Sequence, residues 1–170
     1  ERVTNMLTWF QGNTSITSFD EARYFTNVKS LATSAFYGCN ALKSIRFSDN
    51  ITEISGYCFY NCSALKSIEK KKVTLVKNYA FQSCVNLESV DFSLVETQAM
   101  AFNGCIALLS IDLSNLRIVG KNTFYNCTSL QYDELVLNVT SLGIDALYNV
   151  PIRSLKLPHL ATLPTNNVGN

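Results

Sequence analysis

Six cysteines, one histidine and a scatter of carboxylates are the residues from which this 170-residue chain could build chemistry. A cysteine can serve as a nucleophile, a zinc ligand or half of a disulfide, and each use needs partners at a particular spacing. Cys39, Cys62, Cys84, Cys105 and Cys127 instead recur at a near-constant step in the low twenties. No CxxC or CxxH pair brings two ligands together locally, so zinc has no framework here. His159 stands beside Pro158, away from any recognisable nucleophile, and reads as a solvated turn residue rather than a general base. GxSxG, P-loop and GxGxxG motifs are all missing. The expectation is a non-catalytic protein with no cofactor.

The even spacing of the cysteines points to position in a repeat. Ala101-Phe102-Asn103-Gly104-Cys105-Ile106-Ala107-Leu108-Leu109-Ser110-Ile111 has the skeleton A-F-x-x-C-x-x-L-x-S-I. Phe36-Cys39-Leu42-Ile45, Phe59-Cys62-Leu65-Ile68, Phe81-Cys84-Leu87-Val90 and Phe124-Cys127-Leu130 carry the same letters, and Leu147-Val150-Ile152-Leu155 is a degenerate copy. A fixed period in the low twenties is the signature of a solenoid of the leucine-rich-repeat kind. Stacked coils would place the five equivalent cysteines roughly 5 Å apart, the strand spacing. That is within covalent reach, but each side chain should point into the core, so they read as buried free thiols acting as small hydrophobes. Cys58 takes the place of Ala35, Ala80 and Ala101, which also points to packing.

The elements follow from the repeat. Each copy should supply one extended piece, L-x-S-I-x-F, and a second, I-x-x-I (Ile51/Ile54, Val73/Val76, Leu116/Val119), with A-F-x-x-C as a short helical turn between them. No single coil buries its Phe, Cys, Leu and Ile, but a stack does. Phe36, Phe59, Phe81, Phe102 and Phe124 with the five cysteines form the predicted buried ladder. The predicted fold is a β-rich α/β solenoid of about six coils, each with a period in the low twenties. Residues 1–15 read as an N-terminal capping segment, helical from Val3, Met6, Leu7 and Phe10, with Trp9 on its flank. Residues 16–164 form the solenoid and 165–170 a tail. Asp20 is placed to cap a short helix in an irregular first repeat. Lys70-Lys71-Lys72 and the extra residues in Gln131–Glu134 read as bulges.

Alternation along the first strand predicts an exposed face. Its columns are Ser44, Ser67, Ser89, Ser110, Glu134 and Ser154, then Arg46, Glu69, Asp91, Asp112, Val136 and Lys156, with Lys43, Lys66, Glu88, Leu109, Asp133 and Arg153 outside. Charge is ordered along it, basic at Lys43, Arg46 and Lys66, acidic at Glu69, Glu88, Asp91 and Asp112, basic again at Arg153 and Lys156. Three readings stand: plain solubility, an acidic strip meeting a basic stretch of a protein partner, and a divalent cation between Asp91 and Asp112. A net charge of +1 gives no field for nucleic acid, and no apolar run spans a bilayer. Open solenoid ends allow weak self-association. Five N-x-S/T sites, at Asn13, Asn50, Asn61, Asn126 and Asn138, arise partly from the repeat itself and read as accidental.

The recurring A-F-x-x-C-x-x-L-x-S-I together with I-x-x-I resembles the BspA-like (Treponema-type) leucine-rich repeats over roughly residues 16–163. The pattern departs from the family at Lys70, in the 131–134 insertion, and at Val150, which replaces the cysteine. The resemblance implies a right-handed curved superhelix, a secreted or cell-surface location, often in host-associated bacteria, and binding of or adhesion to an extracellular or host protein. The alternative is a carbohydrate-binding or scaffolding module of a larger surface protein. Sugar binding would draw on an exposed platform among Tyr24, Tyr37, Tyr60, Tyr125, Tyr132 and Tyr148.

Overall fold

The computed structural model describes residues 8–69 and 72–163 and shows a solenoid wound from short parallel strands and tight turns. Among the described residues the strands are β1 (Ser18–Phe19), β2 (Ser44–Ile45), β3 (Glu53–Ile54), β4 (Ser67–Glu69), β5 (Leu75–Val76), β6 (Ser89–Asp91), β7 (Glu96–Thr97), β8 (Ser110–Ile111), β9 (Ile118–Val119), β10 (Leu135–Val136), β11 (Ser141–Leu142) and β12 (Leu155–Lys156). From β2 to β12 they alternate between two faces, and β1 lies beside β2 on the same face. The I-x-x-I pieces form one continuous parallel sheet, β3-β5-β7-β9-β11, extended by a bridge from Ser30 to Glu53. The L-x-S-I pieces form a second face in three blocks: β1-β2, β4-β6-β8 and β10-β12. β2 and β4 are joined by the Lys66 amide bonding to the Lys43 carbonyl. The break between β8 and β10 falls at the 131–134 insertion, where Tyr132 instead bridges to Ile152.

The third side of each coil is the A-F-x-x-C segment, and it is not helical. Amides of Ser34, Phe36 and Gly38 donate to the carbonyls of Gly56, Cys58 and Tyr60 in the next coil, and the pattern repeats at Tyr57, Phe59 and Asn61 onto Asn78, Ala80 and Gln82. The intervening amides close turns within the coil, Tyr37 to Ser34 and Cys39 to Phe36. Each turn needs two left-handed residues, four apart: Ser34 and Gly38, Tyr57 and Asn61, Tyr79 and Ser83, Met100 and Gly104, Asn122 and Asn126, Asp145 and Asn149. That conformation interrupts any run of helix. Among the described residues the only helix is a 3-10 helix at Asp20–Tyr24. Asp20 is its first residue rather than its cap, and Phe19 occupies the cap position without a side-chain hydrogen bond.

The interior is organised by one column of rings. Phe10, Phe36, Phe59, Phe81, Phe102 and Phe124 stack face to face at 5.2–5.5 Å with planes within 5–8°. Phe47 and Phe92 tilt onto Phe59 and Phe81. The six cysteines are free and buried. Each column cysteine donates its S–H to the carbonyl of the phenylalanine one coil earlier, Cys62 to Phe36, Cys84 to Phe59, Cys105 to Phe81 and Cys127 to Phe102. That carbonyl already accepts the cysteine amide of its own coil, so the thiol satisfies its second lone pair.

The expected capping segment divides. Residues 1–7, with Val3, Met6 and Leu7, lie outside the described residues. Phe10 joins the ring column, Gly12 takes the left-handed position of Gly38 and donates to the Tyr37 carbonyl, and the Cys39 thiol donates to the Phe10 carbonyl. The repeat geometry thus starts before residue 16. In this first copy Asn13 replaces the cysteine, and the step from Phe10 to Phe36 is longer than any later step between ring positions. Of the lysine run, Lys72 is an exposed turn residue and Lys70 and Lys71 lie outside the described residues.

Candidate binding face

The second face presents its outward side chains from the residues flanking the inward apolar residue of each short strand. Ile45, Ile68, Val90, Ile111 and Leu135 turn inward and are buried. Parallel register then aligns their neighbours: Ser18, Ser44, then Ser67, Ser89 and Ser110 on one line, with Glu69 beside Asp91. Ser67 and Ser89 are half-buried, and the rest of the serine line is exposed. Lys43, Arg46, Lys66, Glu69, Glu88, Asp91, Asp112 and Glu134 are all exposed.

Side-chain pairing changes the charge pattern. Lys66 reaches Glu88 at 4.0 Å, and Arg46 reaches Asp20 at 4.0 Å. At the far end Glu134 holds Lys156 at 2.6 Å and Asp133 holds Arg153 at 3.2 Å. The basic C-terminal end expected from composition is therefore neutralised by its own neighbours, and Glu88 is partly offset. Glu69, Asp91 and Asp112 have no cation partner among the described residues. Asp112 accepts the Ser114 amide at 2.9 Å, and that backbone hydrogen bond holds its carboxyl below the usual range. A shallow groove of about 440 Å³ runs over this strip, lined by Glu69, Asp91 and Asp112, by Ser89 and Ser110, and by Val90 and Ile111 between them. A neighbouring groove of about 410 Å³ lies between Asp20, Arg23, Arg46, Ser44 and Glu69. Both are open surfaces suited to a polypeptide rather than enclosed pockets for a small molecule.

Other sequence candidates fall elsewhere. His159 is exposed near the C-terminal turns. No group of three or more His, Cys, Asp or Glu side chains is placed to hold a metal among the described residues. The column thiols face carbonyls, and burial pushes Cys39 up to about 11 and Cys84 and Cys127 up to about 12. None is poised as a thiolate nucleophile at neutral pH. Among the described residues no helix is long and apolar enough to cross a membrane.

The tyrosines separate into different settings. Tyr24 is exposed with the Arg23 guanidinium 4.8 Å over its ring. Tyr132 is half-buried against the core, its phenol pushed up to about 12 by burial. Tyr37 stacks on Tyr60 at 4.8 Å, Tyr57 on Tyr79 at 4.6 Å and Tyr125 on Tyr148 at 4.7 Å, all on the turn side of the coils. Sequence reasoning misses Tyr57 and Tyr79 as a pair. Their signal is the offset: each precedes the A-F or C-F of its repeat, one coil from the other.

The family model described as "BspA type Leucine rich repeat region" matches residues 8–98 and 70–167, in six copies. Among solved structures, a leucine-rich repeat protein of T. pallidum is similar with a TM-score of 0.57 and 25% identity, over 76% of this chain and 67% of that one. A leucine-rich repeat protein from Bacteroides ovatus aligns at TM-score 0.47 and 22% identity, over 77% of this chain and 29% of its own. A leucine rich cell surface protein from Faecalibacterium prausnitzii gives 0.47 and 17%, over 77% and 59%. No curated protein sequence matches this chain.

Proposed function

Since the chain belongs to the BspA-type leucine-rich-repeat family, we propose that it is a non-catalytic protein-binding module, secreted or held at a cell surface, that adheres to an extracellular or host protein. The strip of Glu69, Asp91 and Asp112 on the second strand face is the contact surface, and it receives a basic stretch of the partner. One observation carries this reading. In a face where other charges pair across coils, these three carboxylates stand without a cation among the described residues, along a groove that small serines also line. Carboxylates adjacent in a parallel ladder repel each other, and a partner's lysines or arginines would relieve that repulsion. The serines leave room for a partner's backbone to approach.

The test is capture of purified extracellular matrix proteins on the immobilised domain, beside the variant Glu69→Lys/Asp91→Lys. Both substituted side chains are exposed, so the thermal midpoint should be retained. A partner held by the native domain and released by the variant, with weaker capture as salt rises, supports the proposal. Equal capture by both proteins moves the contact off this face.

A further inference from the structure

The turn ladder ends in a set of unanswered amides. From Ser34 onward, alternate turn amides of each coil donate to the next coil, ending with Asn122, Phe124 and Asn126 onto the carbonyls of Ile144, Ala146 and Tyr148. Asp145, Leu147 and Asn149 are the following set, and their amides have no acceptor among the described residues. Leu147 is only 1% exposed, and a buried backbone amide is nearly always paired. Asn149 donates its Nδ2 back to Asn126 Oδ1 at 2.8 Å, while its own Oδ1 accepts nothing among the described residues. The chain itself is led to this end. Leu160, Ala161 and Thr162 lie across a groove of about 160 Å³ from Thr140, Ser141 and Leu142, along the edge strand β11. Leu160-x-x-Leu163 there repeats Val139-x-x-Leu142 one coil later. In earlier coils the first left-handed residue stands three positions after that second apolar site, as Asn122 after Val119 and Asp145 after Leu142, and the second stands four further on. The same count from Leu163 reaches Asn166 and Asn170. Asparagine is among the residues best suited to left-handed backbone, and Asn122 and Asn126 hold these two places in an earlier coil.

We propose that residues 164–170, which lie outside the described residues, dock on this end of the stack as a further turn and close the ladder. By the offset of the earlier coils, the amides of Asp145, Leu147 and Asn149 donate to the carbonyls of Thr165, Asn167 and Gly169. Val168 falls in line with Phe124 and Leu147 and lies over the core at that point. Asn170 donates its Nδ2 to Asn149 Oδ1, which extends the side-chain ladder already running from Asn149 to Asn126. One bond is forgone. At the position after the second apolar site, Lys77, Gln98, Gly120 and Gly143 each donate an amide to the coil before, and Pro164 has none to give. The first-face sheet accordingly stops at β11 among the described residues, and Leu163 is left 71% exposed. The closing turn is thus held by the turn column rather than by the sheet. It leaves that column no open edge for a second copy to pair with.

The experiment follows single amides by hydrogen exchange in the isotope-labelled 170-residue chain. The amides of Asp145, Leu147 and Asn149 should exchange roughly tenfold more slowly than in a chain ending at Leu163. Asn122, Phe124 and Asn126, whose acceptors are described, serve as the reference and should stay protected in both. Two full-length variants test the register. Asn166→Gly/Asn170→Gly keeps left-handed backbone open and should retain most of the protection, whereas Asn166→Val/Asn170→Val places β-branched residues there and should lose it. A tail lying over the end in any other register would not favour glycine over valine at these two positions. If the shortened chain does not fold, this pair carries the test alone. The proposal is overturned by equal exchange at Asp145, Leu147 and Asn149 in the native and shortened chains, or by equal protection in the two variants. Protection that vanishes on dilution, together with a dimer in sedimentation, overturns it as well and makes a second copy the occupant. The strand-face reading is independent of every one of these outcomes.

Discussion

Phe81→Ala is the substitution that tests the ring column most directly. Phe81 is fully buried, stacks on Phe59 and Phe102 at 5.2 Å on its two faces and meets Phe92 at 6.0 Å. Truncating a buried phenylalanine costs about 3–5 kcal/mol through lost transfer energy and the cavity left behind. Each lost aromatic pair is worth about 0.5–1.5 kcal/mol beyond burial, which places Phe81 at the upper end, about 5 kcal/mol. Phe10, at the described end of the column, is half-buried, with Phe36 as its one stacked partner and Phe19 tilted against it. Its truncation should cost about half as much, on the order of 2 kcal/mol. Urea unfolding followed by circular dichroism reads both. At a slope of about 2 kcal/mol per molar, the Phe81 midpoint should fall by about 2.5 M and the Phe10 midpoint by about 1 M. If Phe81→Ala does not fold, Phe81→Leu copies the residue at Leu147 and should show a smaller drop of the same sign. Equal losses at the two sites, or a Phe81 loss below about 2 kcal/mol, would refute a column whose strength grows inward from its end.

Two other outcomes are expected. A Cβ at Gly143 would sit 2.3 Å from the Lys121 amide nitrogen, backbone against backbone, whereas one at Gly56 would come no nearer than 3.3 Å to the Asn78 carbonyl; Gly143→Ala should lower stability by about 2–3 kcal/mol and Gly56→Ala by clearly less, read as melting temperatures. Burial raises the folded pKa of Cys39, Cys84 and Cys127 to about 11–12, so the stability linked to these thiols is fully present below the unfolded value of about 8.5 and is lost as pH rises through the folded values. The urea midpoint should hold between pH 6 and 8 and decline above about pH 8.5, and a Cys→Ala set at these three positions should flatten that decline.

Much of this architecture is written in the sequence at fixed offsets. Phe36, Cys39, Leu42 and Ile45 recur as a group, and a residue type that recurs with its neighbours betrays a shared environment even in a single chain. The strand face was legible for the same reason, since Ile45 inward and Ser44 outward follow from alternation alone. The turn was not legible as a turn. Gly38, Gly104 and Asn61 hinted at left-handed backbone, but Tyr57, Tyr79 and Met100 occupy the same conformation against their own preference, imposed by the ladder between coils. Ion pairs were hidden because Lys66 to Glu88 and Glu134 to Lys156 depend on the reach of long side chains across a coil step. The first copy escaped notice because Phe10-Gln11-Gly12 stands further from its successor than the later copies do from theirs, and lacks the cysteine. The thiol-to-carbonyl bonds needed the structure, for composition shows only a small apolar residue in that place.

The turn ladder also has an electrical direction. In a strand, successive peptide units point opposite ways and their dipoles nearly cancel. In the turn column the bonded units do not alternate: the carbonyls of Cys58 and Tyr60 point back to the preceding coil, while the amides of Phe59 and Asn61 point on to the next. Every full coil adds aligned units in the same sense, so the column accumulates polarity as a helix does, but with its positive pole toward the C-terminal end. The amides of Asp145, Leu147 and Asn149 lie at that pole, and no described coil follows to receive them. Asp145, the one charged residue at these left-handed positions, sits at the pole where a negative charge is favoured. Within the described coils the turn column is therefore a polar ladder, its negative pole toward the coil of Phe36 and its positive pole toward the coil of Leu147.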